Sequence, residues 1–131
     1  MIFVDTSIWY AAHVSEDPAH PGARQLLRQA TSDLITTDYV VDELLTLLIA
    51  RQQRDVAVRI GDGFWSQSTC KLHWADKTDV LSAWEVFKSF DDKSWSFTDC
   101  VSYSVMSRLG ISQALALDEH FRQFGFLVVK P

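Results

Sequence analysis

Cysteine is scarce in this sequence: only Cys70 and Cys100 occur among 131 residues. Both stand in apolar surroundings without the spacing of a metal site, so we expect two buried thiols and no disulfide framework. Long apolar runs are also missing, since none approaches the roughly 18 residues that cross a bilayer. No basic and then apolar leader precedes the first strand, so we expect a cytoplasmic protein with no membrane segment.

An excess of basic residues is absent as well, because 12 Lys and Arg face 17 Asp and Glu, for a net charge of −5. This balance argues against non-specific nucleic-acid binding by a basic surface. It does not exclude a metal-dependent nuclease, in which clustered acids bind cations and the local field is inverted. The length predicts a single domain over 1–131, and we find no repeat or linker.

Short apolar strands alternate with amphipathic helices along the whole chain. Strands are predicted at 2–4, 33–37, 70–74, 114–117 and 126–129. Helices are predicted after Asp5 and at about 21–30, 38–52, 54–67, 80–90 and 96–109, with Asp38 as the cap of the third and Gly110 ending the last. This alternation indicates right-handed crossovers and a mainly parallel sheet of four to five strands, in a three-layer α/β/α sandwich.

Four carboxylates fall where this topology gathers side chains at one edge of the sheet. Asp5 follows the first strand and Asp118 follows the fourth. Asp99 lies in the first turn of the helix that leads into the fourth strand, and Glu43 lies about one and a half turns into the helix that leaves the second. Because parallel strands all end at one edge, where ligands bind in open α/β sheets, we expect these four acids to lie together.

Each acid also has a purely structural explanation. Ser96-x-x-Asp99 resembles a capping box, Asp118 is a plausible N-cap, and Glu43 could be an ordinary exposed helix residue. Asp42, next to Glu43, leaves open which of the two faces inward. Four coincidental caps at one edge are less probable than one shared site, so we favour the cluster.

A cluster of carboxylates is unfavourable without a cation. At 5 Å and an effective dielectric near 20, each pair repels by roughly 3 kcal/mol. Oxygen ligands select hard cations, so Mg²⁺ or Mn²⁺ is expected, with water completing an octahedron. Such a metal lowers the pKa of bound water and stabilises charge on a phosphoryl oxygen.

The ordered set of segments resembles PIN-domain ribonucleases, and in size and order most resembles the VapC-type toxins of toxin–antitoxin pairs. The segments are Val4-Asp5-Thr6-Ser7, Glu43 in its long helix, Phe97-Thr98-Asp99-Cys100 and 116–121. The resemblance implies metal-dependent endonucleolytic cleavage of RNA. It implies Asp5 and Asp99 as the firmest metal ligands, with Glu43 and Asp118 completing a catalytic quartet.

Further expectations follow from the same resemblance. Ser7 resembles the family's polar residue beside the first Asp, a candidate for substrate binding. The partners implied are an RNA substrate, a second copy in a homodimer and a cognate antitoxin that projects an Arg or Lys into the quartet. We expect that antitoxin to pack on the helices around Leu44 to Leu48 and Trp9.

Three alternatives were weighed against the nuclease. A catalytically degenerate PIN-like module that binds protein is the strongest. Aspartyl-nucleophile phosphatases need a second Asp two residues after the first, where this chain has Ser7. A receiver domain needs an acidic pair early in the chain and a Lys after the last strands, and this sequence places neither properly. The histidines show no ligand spacing, and only His120, near Asp118, is worth attention. The five tryptophans are expected to lie mostly in the core.

Overall fold

The computed structural model describes residues 1–30 and 32–131 as five strands and seven helices. The strands are β1 Ile2–Val4, β2 Leu34–Thr37, β3 Lys71–His73, β4 Gln113–Leu115 and β5 Leu127–Val129. The helices are α1 Thr6–His13, α2 His20–Gln29, α3 Asp38–Ala50, α4 Arg54–Trp65, α5 Lys77–Ser89, α6 Phe97–Leu109 and α7 His120–Gln123. Within the described residues, no helix is long and apolar enough to span a membrane.

All strand pairs are parallel, in the order β3-β2-β1-β4-β5. The predicted parallel sheet is therefore confirmed. Along the chain, the sheet first grows from β1 to one side through β2 and β3, and then to the other side through β4 and β5. The order reverses between β1 and β4, and a crevice for ligands opens at such a switch point, beyond the carboxyl ends of the strands.

The apolar pattern of β1 explains its central place, because Phe3 and Val4 are fully buried. Helices pack on this sheet through large side chains such as Trp9 and Phe64, whose rings meet edge to face at 5.0 Å. A smaller core joins α5 to α6 around Val101 and Val105. Both cysteines are buried and free, as expected.

Asp79, near the start of α5, is a buried carboxylate that accepts hydrogen bonds from several donors. Asp79 is 1% exposed, and Arg108 donates to it from Nε at 2.9 Å and from Nη2 at 2.9 Å. His73 Nε2 lies 2.9 Å away, and Asp79 also forms a capping box with Asp76 at the start of α5. Burial raises the pKa of Asp79, but hydrogen bonds from His73, Asp76 and Arg108 outweigh it and hold the pKa below its ordinary value.

Two local predictions were wrong. The α3 cap is Thr37, whose hydroxyl accepts from Val40 N at 3.1 Å, whereas Asp38 accepts from Ala75 N at 2.8 Å and joins α3 to the segment after β3. The tryptophans are not mostly in the core: Trp65, Trp74 and Trp84 are 45–59% exposed. Trp65 stacks on Trp74 at 5.5 Å and Trp84 on Phe87 at 5.5 Å, so these rings shield one another on the surface.

Candidate active site

Asp5 begins the site at the carboxyl end of the central strand. Its backbone N–H donates to Leu115 O at 3.0 Å, which extends the pairing of β1 with β4 by one bond. Its side chain caps α1, accepting from Ser7 N at 3.2 Å and from the Ser7 hydroxyl at 2.7 Å. With 3% exposure, the carboxylate is fixed at the switch point rather than free in solvent.

Asp99 is held by a capping box at the start of α6. The Ser96 hydroxyl accepts from Asp99 N at 3.0 Å, and Asp99 Oδ2 accepts from Ser96 N at 3.1 Å. The same oxygen lies 2.6 Å from His120 Nδ1. A capping role and a place in the cleft therefore coexist in one residue, because the second oxygen remains available.

Asp118 lies beyond β4, and the chain leaves the sheet earlier than predicted, at Leu115. The backbone N–H of Leu117 donates to the Ser7 hydroxyl at 3.0 Å instead of continuing the strand. Ser7 thus connects the loop that carries Asp118 to the loop that carries Asp5. Asp118 itself accepts from His120 N at 3.1 Å, and its side chain is 40% exposed.

Glu43 enters from the opposite wall, on α3. It is half-buried and lines the same cleft as the three aspartates, whereas its neighbour Asp42 is exposed and does not. The helical period explains this difference, because consecutive residues point about 100° apart. The structure therefore places Glu43, and not Asp42, beside Asp5.

These side chains enclose a cleft of about 300 Å³. Its lining comprises Asp5, Thr6, Ser7, Glu43, Leu47, Ser94, Ser96, Asp99, Asp118 and His120. Four of these residues are carboxylates, and within the described part of the chain no Lys or Arg lines the cleft. Sequence reasoning missed Thr6 and Ser94 and gave His120 no role, although the Asp-x-His spacing after β4 already placed that imidazole near the acids.

The pKa values of Asp5 and Asp99 are raised in this cleft. Burial raises the pKa of Asp5 to about 7, the Ser7 hydrogen bonds oppose this, and the charges of Asp118 and Asp99 add to it. Burial likewise raises the pKa of Asp99, with a contribution from Asp118, although Ser96 and His120 lower it. His120 offsets part of this effect at Asp99, whereas the lowering contributions at Asp5 come only from the Ser7 hydrogen bonds.

The donor set fits a hard divalent cation, although the side chains are not arranged as a finished metal site. Across residues 1–30 and 32–131, no three His, Cys, Asp or Glu groups stand close enough to hold a metal. Asp5 and Asp99 instead direct oxygens to Ser7, Ser96 and His120. Thr6 lines the cleft, and its hydroxyl oxygen is buried without a hydrogen-bond partner in the described structure.

The surface predicted to receive an antitoxin helix is buried in part. Trp9 is 1% exposed, and Leu44 and Leu48 are fully buried, so these three side chains face the core and the prediction is wrong for them. Leu45 and Leu47 are half-buried, and Leu47 reaches the cleft.

Comparisons with known proteins agree with this architecture. The PIN domain model matches residues 2–127. The 23S rRNA-specific endonuclease VapC20, from two strains of Mycobacterium tuberculosis, is 35% identical over 131 residues, which cover 100% of this chain and 99% of the relative. The crystal structure of Mycobacterium tuberculosis VapC20, described as a Sarcin-Ricin loop cleaving toxin, superposes with a TM-score of 0.93 at 31% identity over the full length of both chains. The match extends from β1 through β5, and so includes every element that carries the cleft, and we conclude that this chain belongs to the PIN-domain family.

Proposed function

We propose that this protein is a metal-dependent endoribonuclease and the toxin of a toxin–antitoxin pair. The observation that carries the proposal is the cleft itself, in which four carboxylates converge and, among the described residues, no Lys or Arg lines the space. Such an arrangement is costly unless it binds a cation. The full-length relatives named as endonucleases support the same chemistry.

Asp5 and Asp99 would hold Mg²⁺ or Mn²⁺, with Glu43 and Asp118 completing the oxygen donors. When bound, such a cation lowers the pKa of water and offsets the charge that develops on phosphoryl oxygens during hydrolysis. Water adds to phosphorus, one P–O bond breaks, and the leaving oxygen takes up a proton. The cleft carboxylates orient this chemistry because Ser7 and Ser96 restrict their rotation.

Three further residues support the quartet in this proposal. Ser7 positions Asp5 and could also meet substrate, and His120 positions Asp99. Thr6 lines the cleft between Asp5 and Ser7 and completes its wall.

The first substrate to test is the sarcin–ricin stem-loop of 23S ribosomal RNA, because the relatives are named for these targets. We propose that the protein acts in the cytoplasm, as a homodimer, under the control of a cognate antitoxin. A basic side chain of that antitoxin would neutralise the quartet, since a guanidinium can bond a carboxylate through two N–H groups.

The test is cleavage of that stem-loop and of total ribosomal RNA, with Mg²⁺, with Mn²⁺ and with EDTA. We expect discrete products that require the metal. Glu43→Gln should lose most of the activity, whereas Asp42→Asn, its exposed neighbour, should retain it. Absence of metal-dependent cleavage of any RNA would contradict the proposal and favour a degenerate module that binds protein.

A further inference from the structure

A second, oppositely charged concavity lies at the far end of α1. It has a volume of about 410 Å³ and is formed by α1, α2 and α4. Its lining comprises Ala12, His13, His20, Arg24, Leu27, Arg28 and Arg59. Three arginines and two histidines therefore converge with no carboxylate in the lining, although the chain carries a net charge of −5. We call this set of residues the basic pocket.

Helical geometry accounts for the convergence. His20, Arg24 and Arg28 are four residues apart on α2, so they form one stripe along that helix. His13 ends α1, and Arg59 extends from α4 toward the same space. Basic side chains from three helices thus line one concavity, although repulsion between their positive charges disfavours this arrangement.

The guanidinium groups of the basic pocket have no internal counterions. In the part of the chain that the structure describes, Arg24, Arg28 and Arg59 form no ion pair, whereas Arg108 and Arg122 each bind a carboxylate. Uncompensated arginines on a concave surface are suited to phosphate, which a planar guanidinium can bind through two parallel N–H groups.

The two imidazoles are held in fixed orientations. His13 Nδ1 lies 2.7 Å from Trp9 O, and His20 Nδ1 lies 2.8 Å from Ala11 O. A carbonyl oxygen only accepts, so Nδ1 donates in both rings, and Nε2 can donate to a phosphate only when the ring is protonated. Burial lowers the pKa of His13, the hydrogen bond to Trp9 opposes this, and the positive charges of Arg59, His20 and Arg24 add to the lowering, so the arginines supply the charge of the basic pocket.

We propose that the basic pocket binds a phosphate of the RNA strand beyond the cleaved bond. This inference rests on the proposed endoribonuclease function. The eight residues of α1 lead from the cleft, which Asp5 begins, to His13, which lines the pocket. At 1.5 Å per residue this is about 12 Å, the length of roughly three to four stacked nucleotides. Residues 8–12 of α1 are buried, so a strand that contacts both the cleft and the basic pocket passes around this helix over the surface and not along it.

The experiment measures binding of a fluorescent sarcin–ricin stem-loop in EDTA, where turnover is suppressed, between about 50 and 200 mM salt. The variant is the triple substitution of Arg24→Gln, Arg28→Gln and Arg59→Gln. We expect about tenfold weaker binding, and a slope of log affinity against log salt that is smaller by roughly 0.7 to 0.9, the amount that the loss of one phosphate contact removes. Arg54→Gln, on the same helix as Arg59 but outside the pocket, is the control and should change neither value.

A triple substitution to Lys at the same positions keeps the charge and should preserve the slope. With metal, the Gln variant should raise KM and leave kcat unchanged. Unchanged affinity and salt slope in a folded Gln variant would overturn the proposal that the basic pocket binds a phosphate, and would leave the nuclease assignment intact. Conversely, failure to cleave RNA would refute the proposed function, and the salt slope of the inactive protein would still decide the pocket.

Discussion

Asp79 and Asp99 hold the same position in two successive helices, yet their electrostatic surroundings are opposite. Each is the third residue of its helix, each forms a capping box, and both are buried, at 1% and 5% exposure. Asp79 receives Arg108 and His73, and its pKa falls. Burial raises the pKa of Asp99, with a contribution from Asp118, despite Ser96 and His120. The same capping motif therefore has a bidentate arginine partner at Asp79 and lies among carboxylates at Asp99.

The largest expected difference between substitutions of Asp99 and Asp79 is in RNA cleavage. Asp99→Asn should reduce RNA cleavage by at least about 100-fold, because it removes an oxygen charge where the transition state needs it. Asp79→Asn should retain near-normal cleavage per folded molecule. Product formation at saturating Mg²⁺, corrected for the folded fraction, measures both, and full activity of Asp99→Asn would remove the catalytic half of the comparison.

The next effect concerns metal and thermal stability. Mg²⁺ or Mn²⁺ should raise the melting temperature of the wild type, since a ligand of the native state alone stabilises it by about 2.7 kcal/mol at 100 times its Kd. The rise should vanish in Asp5→Asn and persist in Asp79→Asn. Differential scanning fluorimetry over a metal titration provides the measurement, and equal shifts in both variants would place the metal outside the cleft.

A smaller effect is expected on stability without metal. Asp79→Asn should lower the free energy of unfolding by about 2 kcal/mol, because Arg108 and His73 lose a charged partner while Arg108 remains partly solvated. Asp5→Asn should leave it unchanged or higher, since a like charge leaves the cluster. Urea denaturation in EDTA compares them, and a loss in Asp5→Asn as large as that in Asp79→Asn would contradict the contrast.

The smallest effect is the dependence of stability on pH. Asp79 has a lowered pKa in the folded state, so its contribution is present above about pH 4 and is lost as the pH falls through that lowered value. Asp5 has a raised value of about 7, so its contribution is full below about pH 4 and is lost as the pH rises toward 7. Urea midpoints of the metal-free protein should show less acid sensitivity in Asp79→Asn and a smaller decline toward pH 7 in Asp5→Asn.

The acidic cleft could be predicted from the sequence because the prediction needed only the positions of the strands and the fact that parallel strands all end at one edge of the sheet. Topology alone placed Asp5 and Asp118 together, and the helical period put Glu43 on the same side. The prediction treated capping and site membership as competing explanations, whereas Asp5 and Asp99 show that one carboxylate oxygen can cap while the residue still lines the cleft.

Other features depended on contacts that no local pattern encodes. Arg108 meets Asp79 across 29 residues, and the basic pocket needs α1, α2 and α4 to be packed before its arginines converge. Apolar spacing on α1 and α3 correctly predicted helices, but Trp9, Leu44 and Leu48 were wrongly assigned to a docking surface, because periodicity locates an apolar face without saying whether core or partner covers it.

The hydrogen bond between Leu117 and Ser7 joins residues 110 positions apart in the chain. This bond therefore joins the loop after β1 to the loop after β4, two parts of the site with most of the described chain between them. Pairing of β1 with β4 must await the emergence of β4 from the ribosome, and contacts of such long range form slowly. A growing chain that holds Asp5 and Glu43 still lacks Asp99 and Asp118, so the four carboxylates can meet only after β4 and the loop that follows it have been made.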